Sequence, residues 1–347
     1  MSAPHPPALS ARAARAVRRR VAAKMLTVAV AVGVAAGAAA CSAGSGPKLP
    51  SPPTAAAGTT PAPAVPATCT NDAQTVASYR PSGPLPAPDA LPAGSYMAKI
   101  KQRGRLNVAV SADTLLFSFR NPVTGTLEGF DVEMAKLVAA AIFGTSDGHI
   151  SYKVVNYAQR IPSLQDGSVD LVADVMTINC ARWKQINFST EYYHAGQKLL
   201  VATDSKATGI KSFEKSDQQV CVATGSTNLD ELKANYPQVK RREVGDVSDC
   251  MVLFQQGEVA AVTGDDTVLA GFLAQDPYAK IVGSAFTSEP YGLGIAKPNV
   301  DFTKFVNAVV QKARTDGTWR RFYTEQIKPK PGEKIPSPPP ALYGRNE

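Results

Sequence analysis

The sequence predicts an α/β protein of two lobes joined by two crossovers, with a ligand cleft between the lobes. Three observations carry this. Short apolar strands alternate with amphipathic helices from residue 96 onward, the pattern of an α/β sheet. A strand at 198–203 (KLLVAT) is followed by a second α/β unit. The segment 281–290 then carries the chain back to the first unit, where one more strand and two helices close it. The first lobe is thus discontinuous, 96–204 with 289–328, and the second is 205–288.

Residues 1–24 are basic and rich in Pro and Ala, and 25–40 form an apolar run of sixteen residues. That run is short for a membrane span and suits the hydrophobic region of a signal peptide, 1–40. It ends Ala38-Ala39-Ala40-Cys41. Small residues before a cysteine resemble a bacterial lipobox, with Ala38 where Leu is commoner. The resemblance implies lipidation of Cys41 and a membrane anchor; ordinary cleavage at an A-x-A site is the alternative. The leader also explains the net charge of +8: without it, residues 41–347 hold 31 basic and 29 acidic groups. That balance gives no reason to expect a nucleic-acid partner.

Residues 41–95 read as a tether and N-terminal arm. The stretch 44–66 is Pro/Ala/Ser/Thr-rich and too poor in bulky apolar residues to fold, while Cys69 suggests that the arm is pinned to the body. A short helix at 97–100 and a first strand at 106–110 open the first lobe. Ser111, Asp113 and Thr114 follow the strand end, where ligand loops belong. Asp131 is a plausible N-cap for the helix 132–143, whose Met134, Leu137, Val138 and Ala141 share a face. A strand at 152–156 leads to Tyr157.

The stretch 157–193 is the centre of the reading. Ile161 and Leu164 share one face of a short helix that Gly167 stops. Alternation over 169–175 predicts a strand, and Met176-Thr177-Ile178-Asn179-Cys180-Ala181-Arg182 follows its end. A hydroxyl and a guanidinium five residues apart at such a point suit a carboxylate ligand, because Arg offers a planar two-toothed fork. In the second lobe, Thr224-Gly225-Ser226-Thr227 joins the strand 219–223 to the helix 229–234. A glycine turn with hydroxyls at a helix start is an anion seat. A helix at 248–256, a strand at 258–263, Gly264-Asp265-Asp266 and a helix at 267–273 complete that lobe, with Asp266 as the expected cap of the last helix. The closing elements are a strand at 292–296 and helices at 302–315 and 319–325; the Pro-rich tail 329–347 shows no pattern of order.

The blocks IPSLQDGSVDLVA, MTIN, the later Arg and NFS…YY resemble the core signature of family 3 solute-binding proteins, the polar amino-acid receptors of ABC importers. LEGFDVEMAKLVA, VATGST, AAVTGDD and NAVVQKARTDGTWRRFY fit the same pattern in the same order, over about 96–329. The resemblance implies the type II periplasmic-binding-protein fold. It implies that Arg182 clamps an α-carboxylate with Thr177, that Asp265 takes the α-ammonium, and that Ser226 and Thr227 offer backbone N–H groups. Tyr157 would pack on the ligand. For the ligand's side chain the candidates are Ser111, Asp113, Thr114, Arg160 and Thr224. Amide-specific members carry a basic residue where Ala223 stands and a histidine where Gly264 stands. Arg160 before Ile161-Pro162 resembles glutamate-binding members, whereas Asp113 would repel an acidic ligand. The expected ligand is aspartate or glutamate, with asparagine and glutamine close behind.

Of five cysteines, Cys41 is set aside for lipid, and the other four allow three pairings. Cys221 on a strand and Cys250 on the helix before the next strand are the favoured pair, and Cys69 with Cys180 would staple the arm beside the ligand loop. No metal site or cofactor is expected, since His5, His149 and His194 are scattered and no cysteine pair has ligand spacing. A few proteins of this fold are dehydratases, but no nucleophile–base pair stands out, so the chain reads as a binder. The expected partner is an ABC permease or, alternatively, a membrane sensor protein that reads closure. The protein is expected to be an exported monomer.

Overall fold

The computed structural model describes residues 73–327 and 334–346. The leader, Cys41, the tether at 44–66 and Cys69 lie outside the described residues.

The first lobe is built on a five-stranded sheet ordered Ile150–Val154, Leu106–Val110, Leu171–Val172, Gly294–Ala296 and Ile186–Phe188. The first three are parallel and the returning strand Gly294–Ala296 is antiparallel to both its neighbours. The second lobe has its own five-stranded sheet, ordered Arg241–Val244, Val220–Ala223, Ala261–Asp265, Gln197–Ala202 and Ala279–Val282. The crossovers are Tyr193–Ala195 and Glu289–Tyr291, which pair antiparallel with each other. The strand expected to leave the first lobe therefore lies inside the second sheet, between Ala261–Asp265 and Ala279–Val282. The lobes part at Tyr193–Ala195, because the chain becomes a two-stranded hinge there and not after residue 203.

The helix Phe130–Phe143 packs behind the first sheet and starts two residues earlier than an Asp131 cap allows. Gly129, at φ 125°, takes the cap position, and an added Cβ there would lie 2.3 Å from the Phe117 carbonyl oxygen. Asp131 is instead fully buried; its carboxylate accepts from the backbone N–H of Val175 at 2.7 Å and from the Tyr192 hydroxyl. Burial pushes its pKa up to about 7, partly offset by those two donors.

The strand expected over 169–175 is paired only at Leu171–Val172. Beyond Asp174 the backbone breaks from the sheet, because Val175 adopts φ 38°, a region that β-branched residues avoid. In the second lobe Cys221 and Cys250 form a disulfide. Cys180 is also disulfide-bonded; the expected pairing with Cys69 rests on a residue outside the described span.

The tail departs from expectation. Tyr343–Arg345 pairs parallel with Ser78–Tyr79 of the N-terminal arm, so the described tail is docked on the first lobe. Prolines and a lone Arg carry no periodicity, and the contacts that hold this segment are all long-range.

Candidate functional site

The first-lobe wall of the cleft grows out of the break at Val175. Two residues on, Thr177 bridges to Tyr291 of the hinge. Asn179 caps the short helix Cys180–Trp183, its side chain accepting from Arg182 N at 2.8 Å. Arg182 then folds back, donating from Nη1 to the Thr177 carbonyl at 2.8 Å and from Nη2 across the cleft to the Gly225 carbonyl at 3.2 Å. Arg160, at the start of the helix Arg160–Gln165, also reaches Gly225 O at 3.2 Å. Its remaining donors go to the carbonyls of Tyr157 at 3.1 Å and Asp174 at 2.8 Å, and its guanidinium lies 4.3 Å over the Tyr157 ring.

The second-lobe wall is a strand end and a helix start. Ser226 is the N-cap of the helix Thr227–Asn235: its hydroxyl accepts from Leu229 N at 3.1 Å and donates to Ala223 O at 2.6 Å. Asp265 ends the strand Ala261–Asp265 and stands at the N-cap position of the helix Asp266–Gln275 without making a side-chain cap bond. Asp266, the expected cap, is the first helical residue and accepts from Gly196 N at 3.3 Å. Asp265 accepts instead from Asn228 Nδ2 and from the Tyr291 hydroxyl, both at 2.7 Å. Burial and the nearby Glu289 push its pKa up to about 7.

Glu289 on the hinge sits between the walls. Its Oε2 accepts from Thr177 Oγ1 and Thr227 Oγ1, one on each lobe, both at 2.7 Å, and its Oε1 from Thr287 at 2.6 Å. Arg160, Arg182, Asp265 and Glu289 are each 7% exposed or less. The guanidiniums described above are solvated by backbone carbonyls and the carboxylates by neutral hydroxyls and an amide. A buried charge solvated by neutral dipoles keeps its field available to a ligand. Arg182 shows the cost: burial, then repulsion from Arg160, lowers its pKa to about 10 although Glu289 opposes the shift.

The cleft is closed. Gly225, at φ 74°, lies so near the first lobe that an added Cβ would stand 2.6 Å from Ala158 N and Cα. On another edge, Asp113 Oδ2 accepts from Ser248 N at 3.1 Å. The cavity that remains is lined by Tyr157, Thr177, Ser226, Thr227, Asn228 and Asp265, among others.

The structure thus gathers Tyr157, Arg160, Thr177, Arg182, Ser226, Thr227 and Asp265 at one place. Three side-chain candidates have other bonds. Ser111 Oγ is buried and donates to Ser118 O at 3.1 Å. Asp113 is engaged with Ser248. Thr224 is not among the residues lining the cavity, and its backbone N–H donates to Val244 O at 2.8 Å. Thr114 Oγ1 shares a 3.4 Å contact with the Tyr157 hydroxyl. Sequence reasoning passes over Glu289, Asn228 and Tyr291. An acid beside Pro290 in a crossover was the one available signal; Asn228 and Tyr291 look like ordinary helix and strand residues.

Residues 106–328 match the profile of bacterial extracellular solute-binding proteins, family 3. The chain is 32% identical over 237 residues to the ABC transporter glutamine-binding protein of Bacillus subtilis, covering 68% of this chain and 86% of that one. It is 31% identical over 237 residues to a glutamate-binding protein of Corynebacterium efficiens, covering 65% of this chain and 80% of that one. Among solved structures, an ancestral amino acid-binding protein, a precursor of cyclohexadienyl dehydratase, superposes with a TM-score of 0.62 at 30% identity, over 67% of this chain and 99% of that one. The chain belongs to family 3 of the bacterial extracellular solute-binding proteins.

Proposed function

From that membership and the cleft geometry, we propose that the protein is an extracytoplasmic receptor for a polar amino acid, aspartate or glutamate, or asparagine or glutamine. It closes on its ligand and delivers it to an ABC permease. The observation that carries the reading is the pair of buried, opposite poles on opposite lobes, Arg182 and Asp265, each held by neutral partners. A zwitterion needs one fixed cation and one fixed anion on walls that can close.

In this reading Arg182 takes the α-carboxylate with Thr177 and the N–H groups of Ser226 and Thr227. Asp265 takes the α-ammonium, and Tyr157 forms the apolar wall. Arg160, saturated by carbonyls, braces Gly225 and Tyr157 and leaves side-chain selection to the groups around it. The chain is a binder that leaves its ligand chemically unchanged. It is exported as a monomer and held to the membrane by lipid on Cys41, with the tether giving reach.

A thermal-shift screen of the twenty amino acids tests the reading. Polar amino acids raise the melting temperature, since a ligand that binds only the folded chain stabilises it by mass action. No shift with any of them, or conversion of one to product, sinks it.

A further inference from the structure

We propose that the N-terminal arm at 75–79 and the tail at 343–345 form a clasp that positions Arg182, with Trp183 and Arg345 as its positioning residues. This rests on Arg182 being the cationic pole of the ligand site. Arg182 and Trp183 are neighbours on the four-residue helix Cys180–Trp183, so their side chains leave on different sides. Arg182 reaches the cleft and Gly225. Trp183 points the other way, into the arm and tail.

Both segments close on that indole. Its N–H donates to the Thr75 carbonyl of the N-terminal arm at 2.7 Å. The guanidinium carbon of Arg345, from the tail, lies 3.6 Å from the ring centroid. The same guanidinium donates to Ala77 O at 2.8 Å and to Thr75 O at 3.4 Å. Arg suits this place because its plane stacks on the ring while its edge forks to two carbonyls, which Lys cannot do. Trp183 is left 3% exposed.

The clasp has its own footing on the body. Ser78–Tyr79 and Tyr343–Arg345 pair parallel. Ser78 Oγ donates to Phe188 O at 2.7 Å, and Asn307 Nδ2 donates to Ser78 Oγ at 2.8 Å and to Tyr79 O at 2.7 Å. Arg314 Nε donates to the Pro339 carbonyl of the tail at 2.9 Å. Prolines at 336 and 338–340 favour an extended chain before docking, which lowers the entropy lost on docking. A four-residue helix is too short to fix its own direction. Its direction is set from outside, and the anchor on the residue next to Arg182 supplies that.

The test uses the full chain carrying Arg345→Ala or Trp183→Phe, the latter keeping a ring and losing the bond to Thr75. Amide hydrogen exchange is followed at Arg182 and Trp183, and affinity for L-glutamine, L-glutamate, L-aspartate and L-asparagine is measured by calorimetry. Each variant speeds exchange at both amides about tenfold, leaves the second lobe unchanged, and weakens binding about tenfold. In an Arg182→Lys background, Arg345→Ala changes affinity less than about twofold, because the residue it positions is already altered. Unchanged exchange overturns the proposal. So does an equal loss of affinity in both backgrounds, which marks a seal that only stabilises the fold. If L-glutamine, L-glutamate, L-aspartate and L-asparagine all fail to bind the wild type, the ligand reading fails while the exchange result still decides the clasp.

Discussion

The two walls of the cleft are held in different ways. The second-lobe wall is shaped mainly by local junctions. Ser226 caps its own helix, and Asp265 stands where one strand runs into the next helix. The first-lobe wall is held from afar. Asp131 fixes Val175 from 44 positions away, and Trp183, beside Arg182, bonds Thr75 from 108 positions away. Glu289 on the hinge accepts a hydroxyl from each wall. Both walls lean on the hinge, the second through the bond from Tyr291 to Asp265, but the first depends in addition on Asp131 and Thr75, which do not line the cavity.

Removing a pole is the largest expected effect. Arg182→Ala and Asp265→Ala each leave one charged group of a zwitterionic ligand buried without its partner. Each costs about 2–5 kcal/mol of binding, roughly 30- to several-thousand-fold in affinity by calorimetry. A variant that binds within threefold of wild type removes that residue from the site.

Replacing Cys221 and Cys250 together by Ser tests how local the second wall is. The loop they close spans 29 residues, and its loss costs roughly 2–4 kcal/mol of stability. Denaturant unfolding followed by hydrogen exchange places that loss in the second lobe. An equal loss of protection around Arg182 breaks the distinction between the walls.

Gly225→Ala acts on closure. The new Cβ meets Ala158 and sits at φ 74°, which costs about 1–3 kcal/mol of affinity, roughly 5- to 150-fold. Small-angle scattering with saturating ligand shows a more open average shape than wild type. Wild-type closure in this variant rejects the close approach of Gly225 to Ala158.

The smallest effect is a pH dependence with two opposite signs. Burial raises the pKa of Asp265 and Asp131 to about 7 and that of Asp174 to about 6, from an ordinary 3.8. The folded chain therefore binds more protons than the unfolded chain between about pH 4 and 7, and stability falls as pH rises through that window. Affinity moves the other way, because Asp265 must be ionised to face an ammonium group, and falls by up to about tenfold per unit below about pH 7. Asp265→Asn flattens the affinity profile; a profile unchanged in that variant assigns the proton elsewhere.

The same contrast explains what the sequence reveals. The second wall reads largely in advance because glycine turns and strand–turn–helix junctions leave local signatures, so the Gly225 turn is visible as letters, although Asp266 looks like a cap and is the first helical residue. The strand 106–110, the helix after Tyr157 and the return of the chain near residue 290 are legible for the same reason: periodicity encodes them. Long-range supports leave no such mark. Asp131 looks like a cap until a helix that starts at Phe130 buries it. Glu289 looks like a charge in a crossover, and Arg345 like a charge in a Pro-rich tail. The strand at 198–203 was legible as a strand, but which sheet it joins depends on pairing with 261–265 and 279–282, which no local pattern states.

The most direct test of the central claim alters the ligand. Of the twenty amino acids, the one that binds best is titrated by calorimetry beside its N-acetyl and α-carboxamide analogues. Two poles on two lobes require both a free ammonium and a free carboxylate, so each analogue binds at least about thirtyfold more weakly than its parent. An analogue that binds as tightly as the parent contradicts the account, because the pole assigned to the blocked group would then hold nothing.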